Sequence, residues 1–112
     1  ALEVLNNFEF ISGSANQMIK WSINSQIPLY SISTSSAVNC LKIILVFNIQ
    51  RLAAGVGSSV LVYDISNLSV ISTLQTHSDS VRKIDLLSNN ILVSVSDDST
   101  ARIIYLSPFN LL

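Results

Sequence analysis

The chain has 112 residues, 49% of them hydrophobic and only 12% charged, with a formal net charge of −1 and a mean hydropathy of +0.52. That length fits a single domain, and the charge balance excludes the electrostatic footprint of a nucleic-acid or anionic-membrane binder. Cys40 stands alone, which excludes an intrachain disulfide and a cysteine-based metal site and favours an intracellular setting, cytoplasmic or nuclear.

The six lysines and arginines are scattered, and only Arg82 and Lys83 adjoin. The longest aliphatic-aromatic run, Ile43–Phe47, is far too short to cross a bilayer. No signal-peptide pattern opens the chain, which begins at Ala1 as a fragment or a processed chain does. A monomer of this size normally needs more charge to cover its surface. Serine and asparagine supply the polarity instead, which suits a fold with many turns or a piece whose flanks other protein covers.

In chain order, Ala1–Leu5 is apolar, Asn6-Asn7 turns, and Phe8–Ser14 reads as a strand. Ala15-Asn16-Gln17 turns the chain back into Met18–Ile23, and Asn24–Gln26 turns it again before Pro28 opens Leu29–Ser33. Proline is tolerated at a strand start because its missing N–H is not needed there. A second unit follows, with strands at Val38–Ile43, Leu52–Val56, Val60–Tyr63 and Ser69–Leu74, and turns at 48–50, at Gly55 to Ser59 and at Asp64–Leu68. The third opens on the polar loop His77–Ser80. It continues through Val81–Leu86, a turn at Ser88-Asn89-Asn90 suited to left-handed backbone, and the hairpin Leu92–Leu106 around Asp97-Asp98-Ser99. A fourth strand is expected after Leu106 and is missing or truncated. No apolar 3.6-residue period lasts beyond two turns, so helix is excluded throughout.

The units repeat. Trp21 to Tyr63 is 42 positions and Tyr63 to Ile104 is 41; Gly13 to Gly55 is 42 and Gly55 to Val95 is 40. A period of about 40–45 residues, with four short strands per unit, marks a β-propeller blade. The fold class is therefore all-β: a propeller fragment of three blade-like four-stranded antiparallel sheets with incomplete outer blades, in one domain. Repeat 1 spans residues 1–33, repeat 2 residues 34–75 and repeat 3 residues 76–112.

The third repeat carries a more specific likeness. Leu74-Gln75-Thr76-His77-Ser78-Asp79-Ser80-Val81 resembles L-x-G-H-x-x-x-V, and Val95-Ser96-Asp97-Asp98 resembles G-S-x-D. Ile104-Tyr105, Tyr63-Asp64 and Trp21-Ser22 stand where Trp-Asp ends a third strand. On these residues the chain resembles the WD-repeat propeller family, in about 2.7 degenerate repeats. The resemblance implies a hydrogen-bond chain that pins a blade, formed by the loop His77, the turn Asp98 and a strand serine, either Ser94 or Ser96. Its last link, a tryptophan, is replaced by Ile104. The other repeats place Thr34 and Asn16 or Ser58 at the matching positions, so no full chain survives in any blade.

A hydrolytic reading of His77, Asp98 and Ser94 fails on position: Ser94 sits mid-strand, no G-x-S-x-G occurs, and a hydrolase serine needs a strained, exposed turn. Gly55-Val56-Gly57 lacks the third glycine and the helix of a dinucleotide fingerprint. The Asp97-Asp98 pair offers too few ligands for a metal. No catalytic residue, cofactor or metal is expected. The resemblance implies a non-catalytic scaffold that presents loop residues to a protein or peptide partner: Ser80, Arg82 and Asp97 in repeat 3, Asn39 and Ala37 in repeat 2. The rival class is a piece of a propeller enzyme whose catalytic residues lie outside this chain. Repeat arrays without polar caps leave apolar faces open, so further blades or self-association are expected to cover them.

Overall fold

The computed structural model describes residues 1–46 and 48–106. Eleven strands and no helix are present among them: β1 (Leu2–Val4), β2 (Glu9–Gly13), β3 (Gln17–Ser22), β4 (Tyr30–Ser33), β5 (Val38–Val46), β6 (Ile49–Val56), β7 (Ser59–Asp64), β8 (Val70–Thr76), β9 (Val81–Ser88), β10 (Ile91–Ser96) and β11 (Ala101–Tyr105). Each pairs antiparallel with its sequence neighbour, in three sheets ordered β1-β2-β3-β4, β5-β6-β7-β8 and β9-β10-β11. The chain is thus an unclosed segment of three propeller blades. The last has three strands among the described residues, and the six residues where a fourth would begin, 107–112, lie outside them.

Turn chemistry sets the hairpins. Gly57 takes φ 57° at the β6–β7 turn, and Asn48 takes φ 63° ahead of β6. The expectation of left-handed backbone at Ser88-Asn89-Asn90 is not met; Leu68 and Ser99 adopt it instead, at φ 56° and 68°. Asp64 holds the turn that ends in Leu68, accepting from the Ser66 N–H and hydroxyl through Oδ1 and from the Leu68 N–H through its carbonyl. The two Ser66 bonds are the leading reason its carboxyl sits below the usual carboxylate range.

Blades bury both faces against neighbours, so alternation of polar and apolar residues breaks down in the middle one. Leu52, Ala54, Tyr63 and Leu68 of the second blade meet Ile11 and Met18 of the first. Ala53, Val60 and Val62 meet Val81, Ile84, Leu92 and Ile104 of the third. The same backbone bonds recur at both junctions. Val38 N–H donates to Ser14 O and Val81 N–H to Gly57 O, while Thr34 N–H donates to Asn16 O and His77 N–H to Ser58 O.

Gly13 and Gly55 are required by this approach. A Cβ at Gly13 would lie 2.4 Å from Val38 Cγ1, and one at Gly55 would lie 2.9 Å from Val81 Cγ1 and 2.6 Å from Cys40 Sγ. Cys40 is half-buried beside Gly55, and burial pushes its thiol up from the ordinary value.

Candidate protein-interaction site

Two groups of marked residues sit at the end of the third blade where β9 begins. The first is buried. His77 Nε2 is 2.8 Å from Ser94 Oγ, and Nδ1 is 3.0 Å from Asp98 Oδ2 and 3.1 Å from Thr100 Oγ1. The imidazole is fully buried and the Asp98 side chain is 5% exposed. Ser94, rather than Ser96, reaches the ring. A register shift between Val95 and Ser96 turns Ser96 toward the loop, where its hydroxyl donates to Asp79 O and accepts from the Asp98 N–H.

Asp98 is the hub. Oδ1 accepts from the Thr100 N–H and hydroxyl, and Oδ2 from the Ser78 N–H. These donors, the Thr100 hydroxyl first, hold its carboxyl well below the usual range against the cost of burial. A carboxylate so held has no proton to give, so Nδ1 donates to it; the Ser94 hydroxyl satisfies Nε2 either way. Such a network satisfies buried polar groups and carries no nucleophile at a strained turn. Thr100 is the member the sequence reading missed, and its position two residues past Asp98 in an Asx-type turn is the signal that marks it.

The tryptophan link survives elsewhere. Trp21 Nε1 donates to Ser12 Oγ at 2.9 Å, with Phe10 stacked on the indole at 6.3 Å between ring centres. Strand pairing makes Phe10–Trp21, Leu52–Tyr63 and Leu92–Ile104 equivalent pairs, and Ser12, Ala54 and Ser94 equivalent single positions. The serine–tryptophan half thus lies in the first blade, the aspartate–histidine–serine half in the third, and neither in the second.

The second group is exposed. Arg82 Nε donates to Asp97 Oδ2 at 2.7 Å and Nη2 donates to the same oxygen. This pairing pushes the guanidinium up and the carboxyl down. Asp97 N–H also donates to Ser80 O, which ties the hairpin to the loop before β9. Asn39 Nδ2 donates to Val81 O across the blade junction at 3.0 Å, and Ala37 O accepts from Gly57 N–H. Around them the starts of β1, β5 and β9 converge on an open depression of about 270 Å³. Leu2, Asn39, Cys40, Arg82 and Lys83 are in its lining.

Among the described residues no three His, Cys, Asp or Glu side chains gather as a metal would need, and no helix is long and apolar enough to cross a membrane.

No protein-family model and no curated protein matches the chain. Solved structures do. The C-terminal WD40 domain of Sif2 superposes with a TM-score of 0.81 at 17% identity, over 99% of this chain and 32% of that one. The WD40 β-propeller domain of Doa1 gives 0.79 at 23%, over 93% and 35%. The computationally designed Ika4 protein gives 0.76 at 24%, over 96% and 65%. The chain therefore spans about a third of the two WD40 domains and less than two thirds of the designed protein. Its fold is that of a WD-repeat-like propeller segment.

Proposed function

We propose that this propeller segment is a non-catalytic interaction module that presents the loop end of its blades to a protein or peptide partner. The observation that carries the reading is the convergence of the starts of β1, β5 and β9 on one open depression lined by Asn39 and Arg82, the latter paired with the exposed Asp97. A rigid sheet scaffold that holds polar loop groups around a concave surface suits peptide recognition. Arg82 contributes the planar guanidinium favoured at interfaces, Asp97 its counter-charge, and Ser80 and Asn39 adaptable hydrogen bonding. The similarity to WD40 domains supports the scaffold through its fold alone.

Arg82 and Asp97 hold each other, so the test exchanges them. Arg82→Glu with Asp97→Arg retains an internal ion pair while reversing the charge offered to a partner. Affinity capture with the full-length chain should lose the partner on this exchange with an unchanged melting temperature. Undiminished recovery would place the binding surface elsewhere.

A further inference from the structure

The open depression where β1, β5 and β9 begin has a chemical preference of its own. Its lining holds two cationic side chains, Arg82 and Lys83, and no carboxylate. Cys40 also lines it, and burial pushes that thiol up, so it stays neutral and adds no negative charge. Leu2, Leu41 and Ile84 give the lining an apolar part, of which Leu2 is the exposed member.

The acids nearest the two cations are already engaged. Asp97 and Asp79 act on Arg82, and Asp85 lies near Lys83. Asp97 takes Arg82 Nε and Nη2 on one oxygen, which leaves Nη1 without a partner among the described residues. Asp79 accepts from the Ser80 N–H, and Asp85 accepts from the Leu86 N–H and lies 3.2 Å from Lys42. Lys83 is exposed and in no ion pair among the described residues. The Arg82–Asp97 pair cancels, so the uncompensated charge of the lining is that of Lys83. Asn39 Nδ2 is spent on Val81 O, and its Oδ1 accepts nothing among the described residues.

We propose that this depression takes the side-chain carboxylate of an acidic residue in a partner peptide, with Lys83 and Arg82 Nη1 as donors. Asn39 Oδ1 accepts a peptide N–H, and an apolar neighbour of the acid rests on Leu2. This specificity rests on the reading of this end of the blades as an interaction surface. Ammonium and guanidinium groups make charge-assisted bonds to a carboxylate, whereas a cationic side chain would meet Lys83 with no acid in the lining to receive it. At about 270 Å³ the depression lies near the lower end of ligand pockets and admits side chains. Chain ends are captured by nests of backbone N–H groups. Here the donors are side chains around an open depression, so a peptide crosses it and inserts an internal acid.

The probe is the blocked tripeptide acetyl-Leu-Glu-Leu-amide, titrated into the full-length chain and followed through the side-chain N–H signals of Asn39 and Arg82 in NMR spectra. Both signals should shift saturably, and the neutral probe with Gln in place of Glu should move neither. Lys83→Gln, at an exposed position, should bind the Glu probe about fivefold more weakly with an unchanged melting temperature. Added salt should weaken the wild type more than the variant. Lys83→Met takes its place should it misfold. Equal binding of the Glu and Gln probes overturns the proposal, as does wild-type affinity in both Lys83 variants. So does tighter binding of acetyl-Leu-Leu with a free C-terminal carboxylate, which would mark a chain-end site. If the Arg82–Asp97 exchange loses the partner while the Glu probe fails, the carboxylate specificity falls and the interaction surface stands. If the Glu probe binds while the exchange keeps the partner, the carboxylate site stands and the partner surface lies elsewhere.

Discussion

His77 is the only imidazole of the chain, and its burial dictates the polar groups around it. A buried ring nitrogen left without a partner forfeits its hydration with nothing in return. Ser94→Ala strips the partner from Nε2 and should cost about 1–3 kcal/mol, measured by chemical denaturation. Asp98 makes the same network sensitive to acid. Its folded-state value is depressed below the ordinary 3.8, so it contributes stability above that pH and loses the contribution as pH falls through and below it. Asp98→Asn should therefore be less stable than wild type at neutral pH and should show a shallower loss of stability below pH 3.8, read from melts across an acid series.

At the scale of the strands, close approach between blades rests on single glycine positions. Gly55 lies under Val81 and Cys40 with no space for a Cβ. Gly55→Val should overpack the junction and cost about 1–3 kcal/mol, seen as a fall in the denaturation midpoint with the slope unchanged. The third blade carries valine at this position without strain because its outer face is open. Leu68 shows the opposite conflict. Its left-handed backbone is unfavourable for a non-glycine residue, yet its side chain is almost fully buried in the core between blades one and two. Burial offsets the backbone cost, which local turn propensity, pointing to the neighbouring Asn67, does not reveal.

In the molecule as a whole each blade packs only on its neighbours, so interior and end blades of one repeat series meet different fates. Tyr63 is buried because a blade lies on each side of its sheet, and Trp21, its equivalent, is only half-buried on an end face. The low charge noted in the composition has its cause here: sheet faces serve as interfaces and leave only loops and edges to carry polar groups. Arg82 at the start of β9 and Asp97 in the turn after β10 neutralise one another, so this end of the blade presents a paired rim instead of a charged patch.

By itself the sequence determined the all-β content, the period and the hairpin turns, because strand alternation, glycine and asparagine act within a few residues of themselves. The resemblance to the WD-repeat motif implied a network of His77 and Asp98, since both motif positions fall in the same repeat. Only the tertiary structure decided that Ser94 and not Ser96 meets the ring, because a bulge changes which way a side chain faces. The cross-junction bond from Asn39 and the choice of Leu68 for left-handed backbone were likewise decided there. The pairing of Trp21 with Ser12 was decided there too, because strand register sets the two side chains beside each other. Burial of a face depends on whether a neighbouring sheet covers it, and residue order alone does not carry that information.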